Sequence, residues 1–117
     1  MEAVRRTSSA DRALGREPGP PRAALLDLLA SARSEEGDYD RALRLRREAI
    51  AILEAPPGAD PVEVAALRGN LGNDLADLGR LDEAIVAVEA QVAVYRERLG
   101  PGNLRLANAL ANLGSVL

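Results

Sequence analysis

Along most of the chain, apolar residues recur near every 3.6 positions. Leu67, Leu71, Leu75 and Leu78 form one such stripe, and Ala84, Val88 and Val92, with Ile85 beside them, form another. Gly and Pro interrupt the pattern at regular places, so it predicts five helices. The first opens with Pro21 in its first turn and runs to about Glu36, where Gly37 stops it. The second is capped by Asp38 or Asp40 and ends near Glu54, before Pro56-Pro57-Gly58. Asp60-Pro61, a cap followed by Pro at the first helical position, opens the third, which reaches Leu78 ahead of Gly79. The fourth starts near Asp82 and ends at Leu99, before Gly100-Pro101-Gly102. Asn103 caps the fifth, which runs to Leu117. Residues 1–19 mix charge, Ser, Gly and Pro without a sustained period and read as a disordered or loosely ordered arm.

The pattern repeats. With the sequence slid against itself by 42 residues, 12 of 51 positions between 25–75 and 67–117 are identical without a gap. Composition alone would give roughly 6, so the register is meaningful. The matched residues are the structural ones: Gly37 with Gly79, Asp40 with Asp82, Ala42 with Ala84, Gly58 with Gly100, Ala65 with Ala107, and Asn70-Leu71-Gly72 with Asn112-Leu113-Gly114. Each unit is thus a pair of helices. Small residues at Ala42, Ala84, Gly72 and Gly114 mark places where helices are expected to cross closely.

Composition narrows the chemistry. The 117 residues hold no Cys and no His, and every one of the 15 basic residues is Arg. Thiolate and imidazole chemistry, Schiff-base lysines and a P-loop lysine are excluded. Two Tyr are the only aromatic residues, so the core is built from Ala, Leu, Ile and Val. A net charge of −3 favours neither nucleic acid nor an anionic membrane. Arg5-Arg6 is followed by a polar stretch where a secretion signal needs an apolar one, and no run is long enough to span a bilayer, so a cytoplasmic location is expected. The Arg-only, Ala-rich usage is associated with GC-rich, bacterial coding. The acidic group Glu35-Glu36-Asp38-Asp40 surrounds a helix joint, where capping and solvation account for it better than a metal site. Arg44, Arg46 and Arg47 are expected to pair with Glu48 or Asp40. No nucleophile sits beside a base, so neither an enzyme nor a cofactor is expected.

Leu71-Gly72, Gly79, Leu81 and Ala84 resemble the tetratricopeptide repeat. The 42-residue period, with Leu99-Gly100-Pro101 and the run from Ala107 to Gly114, is similar to the longer variety found in kinesin light chains. HEAT and armadillo repeats share this period range, but the Gly-x-(Tyr/Leu)-Asp-x-Ala joint favours the tetratricopeptide form. The resemblance implies an all-α fold, a right-handed α-solenoid of antiparallel helix pairs with about two and a half repeats: units of about 20–60, 61–102 and an incomplete 103–117. The first unit departs from the pattern. It has Leu28 in place of the Asn, Arg33 where later units have Leu75 and Leu117, and Arg46 where the second has Val88. That suits a capping unit.

In this family the first helix of each pair lines a concave surface, so the resemblance implies a protein- or peptide-binding scaffold without catalysis. Carried over by position, Asn70, Asn73 and Asp77 fall on the groove side of the third helix, and Asn108 and Asn112 on the fifth. Ser31, Asp27 and Glu35 are adjacent candidates on the first. An amide offers both a donor and an acceptor to a peptide backbone. The alternative is that Asn70 and Asn112 bond a neighbouring helix and fix its angle. With no Lys, and with amides and acids in the groove, a clamp for a terminal carboxylate is not expected. The partner should be a neutral or basic segment rather than an acidic one. The fifth helix carries Leu106, Leu110, Leu113, Val116 and Leu117, an apolar stripe expected to form an assembly surface. It could join copies end to end, meet further repeats of a longer regulatory protein, or fray.

Overall fold

The structure is a computed structural model that describes residues 19–117. Most of the N-terminal arm predicted for residues 1–19 lies outside the described residues. Five α-helices follow in order: α1 (Gly19–Glu35), α2 (Tyr39–Glu54), α3 (Pro61–Asp77), α4 (Leu81–Leu99) and α5 (Leu104–Val116). Each packs on the next in sequence, and α3 also touches α5. This is an all-α solenoid of helical repeats. Among the described residues no helix is long and apolar enough to cross a membrane.

Helix starts follow local chemistry. Asp38 caps α2 by accepting from the Arg41 N–H, Asp60 caps α3 through Val62 N–H with Pro61 behind it, and Asn103 caps α5 through Arg105 N–H. The fourth helix differs: Arg80 occupies the cap position without a side-chain capping bond. It instead donates twice to Glu83, one turn into the helix, and this bonding holds the Glu83 carboxyl below its ordinary pKa. The turns inside the two complete pairs are the same turn. Gly37 and Gly79 have φ of 82° and 79°, a left-handed conformation open to Gly. In both, the next residue's N–H reaches back five residues, Asp38 to Arg33 and Arg80 to Leu75.

Three apolar clusters fill the stack. Ala23, Leu26, Leu29, Ala49, Ile50, Leu53 and Val64 join α1, α2 and α3. Leu43, Leu75 and Ala84 join α2, α3 and α4. Ala65, Val88, Val92, Tyr95, Leu106 and Ala109 join α3, α4 and α5. Ala42 and Ala84 are wholly buried. A Cβ added to Gly72 would lie 2.7 Å from Val88 Cγ2 and 3.3 Å from the Ala84 carbonyl oxygen, so α3 and α4 cross with Gly72 at the contact. Gly114 was expected at a similar crossing. Instead it has open space around it, because α5 turns that side away from the helices it packs on.

Packing at Ala84 leaves no room for a larger side chain. Ala84→Leu is expected to lower stability by about 1–3 kcal/mol through overpacking, read as a reduced urea midpoint. An unchanged midpoint would contradict the crossing.

Candidate functional site

Between the first three helices lies a polar network that the apolar pattern does not announce. Arg46, in the middle of α2, is 4% exposed. Its Nε donates to Asp74 Oδ2 of α3 at 2.7 Å, one terminal nitrogen donates to Asp27 of α1, and the other to Ser31 Oγ at 3.2 Å. Ser34 Oγ of α1 donates to the second Asp74 oxygen at 2.6 Å. Asp74 is itself buried, and both of its oxygens are satisfied. This corrects the expected pairing of Arg46 with Glu48 or Asp40. Of the presumed basic cluster, only Arg44 and Arg47 are exposed. Ser31, anticipated as a groove residue, is spent on the network.

Asp27 belongs to both the network and the groove in front of it. This groove, of about 760 Å³, runs across α1, α3 and α5. Ala23, Ala24 and Asp27 form one wall, and Arg105, Asn108, Ala109 and Asn112 the other. Between them lie Asp60, Val62, Glu63, Ala66 and Leu67, with Leu53 of α2 and Gln91 and Tyr95 of α4 beneath. The lining is set by helical spacing: Asn108 and Asn112, like Glu63 and Leu67, are one turn apart and share a face. Three carboxylates, on Asp27, Asp60 and Glu63, face one guanidinium, on Arg105.

Of the predicted site residues, the structure brings Asn108 and Asn112 to this groove. Asn70, Asn73 and Asp77 are not in its lining. They continue the face of Glu63 and Leu67, but a turn or more further along α3, where the groove has ended. None of the four Asn side chains makes a hydrogen bond among the described residues, so the alternative in which Asn70 and Asn112 bond a neighbouring helix is not what the structure shows.

The predicted assembly stripe divides in two. Leu106 and Val116 are buried, at 3% and 9% exposure, and are removed from that surface. Leu106 packs against α4 with Ala109, and Leu113 is partly buried on the same cluster. Leu110 and Leu117 stay exposed, as does Leu104 at the start of the helix.

Sequence reasoning missed Gln91 and Tyr95. The repeat register held a signal for both: they occupy the positions of Ala49 and Leu53, so polar groups enter the second unit where the first is apolar.

The fold and the repeated joints define a helical-repeat scaffold for protein interactions. Residues 63–117 match the tetratricopeptide repeat family. The crystal structure of BtubC (BKLC) from P. vanneervenii superposes on this chain with a TM-score of 0.73 at 24% identity. The likeness covers 98% of this chain and 46% of that one, so the chain spans just under half the length of its structural relative. No curated protein matches the sequence. Over residues 63–117, just under half of the chain, the match is to the tetratricopeptide repeat family, and the structural likeness extends the same helical-repeat fold to the rest.

The buried network makes a specific demand. Arg46→Ala is expected to cost about 3–5 kcal/mol, because Asp74 is left charged and buried without its partner. Arg46→Leu combined with Asp74→Leu should lose less than Arg46→Ala alone. Chemical denaturation of the three proteins checks this ordering.

Proposed function

We propose that the groove holds an extended segment of a partner protein, neutral or basic in character, and that the chain is a non-catalytic scaffold. The observation that carries this reading is a pair of amides without partners. Asn108 and Asn112, one turn apart on α5, line a groove of about 760 Å³ and make no side-chain hydrogen bond to the described residues. Such a pair can meet successive backbone amides without demanding a particular sequence. Asp60 and Glu63, with Asp27 already paired to Arg46, outnumber Arg105 in the lining and disfavour an acidic segment, and a terminal carboxylate would find no clamp.

Fluorescence anisotropy with short capped peptides tests this. A neutral or Arg-containing peptide should bind more tightly than an acidic one with a free C-terminus. Asn108→Ala with Asn112→Ala should weaken that binding about tenfold, the worth of one to two hydrogen bonds. Asn70→Ala, outside the groove lining, should have a smaller effect. Tight, salt-sensitive binding of the acidic peptide would overturn the reading.

A second reading concerns α5. Leu104, Leu110 and Leu117 are 74%, 40% and 79% exposed, an unusual concentration of Leu on one short helix. It supports self-association of the chain, with this helix against a second copy. Light scattering over a concentration series should then show mass above the monomer. Leu110→Glu with Leu117→Glu, both outside the core, should abolish it. A monomer at every concentration would remove this reading.

A further inference from the structure

The floor of the groove contains a polar group that is buried and unsatisfied. Gln91 is 8% exposed, and its carbonyl oxygen has no hydrogen-bond partner. Its amide nitrogen has only a long contact to the Tyr95 hydroxyl, at 3.5 Å. A buried amide in this condition is costly, because it has given up water and gained little. The side chain nevertheless occupies a place made for it. It lies flat on Gly69 of α3, and a Cβ built at Gly69 would overlap the nitrogen, carbon and oxygen of the Gln91 amide. The two residues depart together from the rest of the repeat. The first unit has Asp27 and Ala49 at the corresponding positions, and the third has Ala111 at the position of Gly69.

We infer that Gln91 is a specificity-determining residue of the groove, which parks its amide on Gly69 when the groove is empty and turns it to accept a hydrogen bond from an N–H donor on the side chain of a bound segment. This deepens the peptide-groove reading and rests on it. The chemistry of the donor follows from what surrounds Gln91. Glu63 and Asp60 line the same groove, and the unmet group is an acceptor, so a guanidinium fits best: it brings several N–H donors and a positive charge. A neutral side chain with the same donors satisfies Gln91 but not the carboxylates. An aliphatic side chain satisfies neither. Gly69 is what makes the parked position possible. With any side chain at that position the Gln91 amide must leave, and it can, because the overlap is with the far end of a flexible chain and not with backbone.

The test uses three capped nine-residue peptides of alternating Ala and Ser that differ only at the central residue: arginine, citrulline or norleucine. Citrulline keeps N–H donors without the charge. Binding is read by anisotropy, and the Gln91 side-chain amide is followed by nitrogen-15 NMR. Gln91→Leu should weaken the arginine and citrulline peptides by a similar factor, about tenfold, and leave the norleucine peptide unchanged. The Gln91 amide resonances should move with the first two peptides only. Gly69→Ala, which vacates the parked position, should strengthen the arginine and citrulline peptides about threefold, since the binding-competent orientation no longer competes with another. It also carries the test if Gln91→Leu fails to fold. Equal weakening of all three peptides by Gln91→Leu, or no effect on any, would overturn the assignment while leaving the groove intact. A Gly69→Ala protein that binds the donor peptides no better than wild type would overturn it as well. If none of the three peptides binds the wild-type protein, the groove reading itself falls, and this assignment with it.

Discussion

The arrangement of the first three helices depends on one guanidinium. Arg46 reaches from α2 to a carboxylate on α1 and another on α3, and Ser34 adds a direct link from α1 to α3. The first helix of the first pair is thus fixed to the first helix of the second by directional bonds as well as by the apolar cluster of Leu26, Leu29 and Val64. The equivalent position in the second pair is Val88, wholly buried and pressed into the space above Gly72. Two units with the same joints therefore solve the same crossing differently. One uses shape, with a branched side chain against a missing one. The other uses charge, and charge imposes geometry: a buried ion pair is not a cheap source of stability, but it tolerates few alternative arrangements. Because Asp27 is at once a ligand of Arg46 and a wall of the groove, the network also sets where that wall stands.

Much of the fold was legible because its signals are local. Gly37 and Gly79, Asp60-Pro61 and Asn103 specify turns and caps from neighbouring residues alone, and the 42-residue register multiplies their weight. The network was not legible because its partners are distant in sequence. Glu48, the near neighbour, is two residues from Arg46 and so points from a different side of the helix, while Asp74 is 28 residues away. The sequence showed an Arg in a Val position and could not show that three polar groups converge on it. The same limit applies to α5. Leu106, Leu110, Leu113, Val116 and Leu117 read as one stripe, yet at 100° per residue they spread over more than one face. Packing on α4 buries Leu106 and Ala109, Val116 is buried as well, and Leu110 and Leu117 stay outside.

Predicted positions reach the groove where the family's pattern and its lining coincide, and not elsewhere. Asn108 and Asn112 lie in the half of α5 that faces α1 across α3. Asn70 has the same repeat position as Asn112, but the groove is not periodic. It is closed on one side by α1 and on the other by α5, and it sits over the first turns of α3, so equivalent residues in successive units have unequal access to it. A repeat register predicts which face a residue occupies. It does not predict how far along the helix the concavity extends, because that depends on the angle between helices.

The two halves of the groove are consequently of different character. On the α1 side the polar group of the lining is already paired, Asp27 with Arg46, and behind it Ser31 and Ser34 join the same network. On the α4 and α5 side they are not paired within the protein: the amides of Asn108 and Asn112 are open to solvent, and Gln91 keeps a buried oxygen unsatisfied. A paired group has little to gain from a ligand, since any new bond replaces an old one. The solvent-facing amides exchange water for the ligand and gain modestly, whereas the buried Gln91 oxygen has no bond to give up and gains more. Discrimination between ligands should therefore reside mainly in the second half, while the first supplies a fixed wall and a negative field. Three of the positions at which the second repeat differs from the first, Gly69 for Asp27, Gln91 for Ala49 and Tyr95 for Leu53, come together on this side. Gln91 in place of Ala49 and Tyr95 in place of Leu53 are what bring polar groups to this side, as expected if the second unit reads the ligand while the first holds the framework.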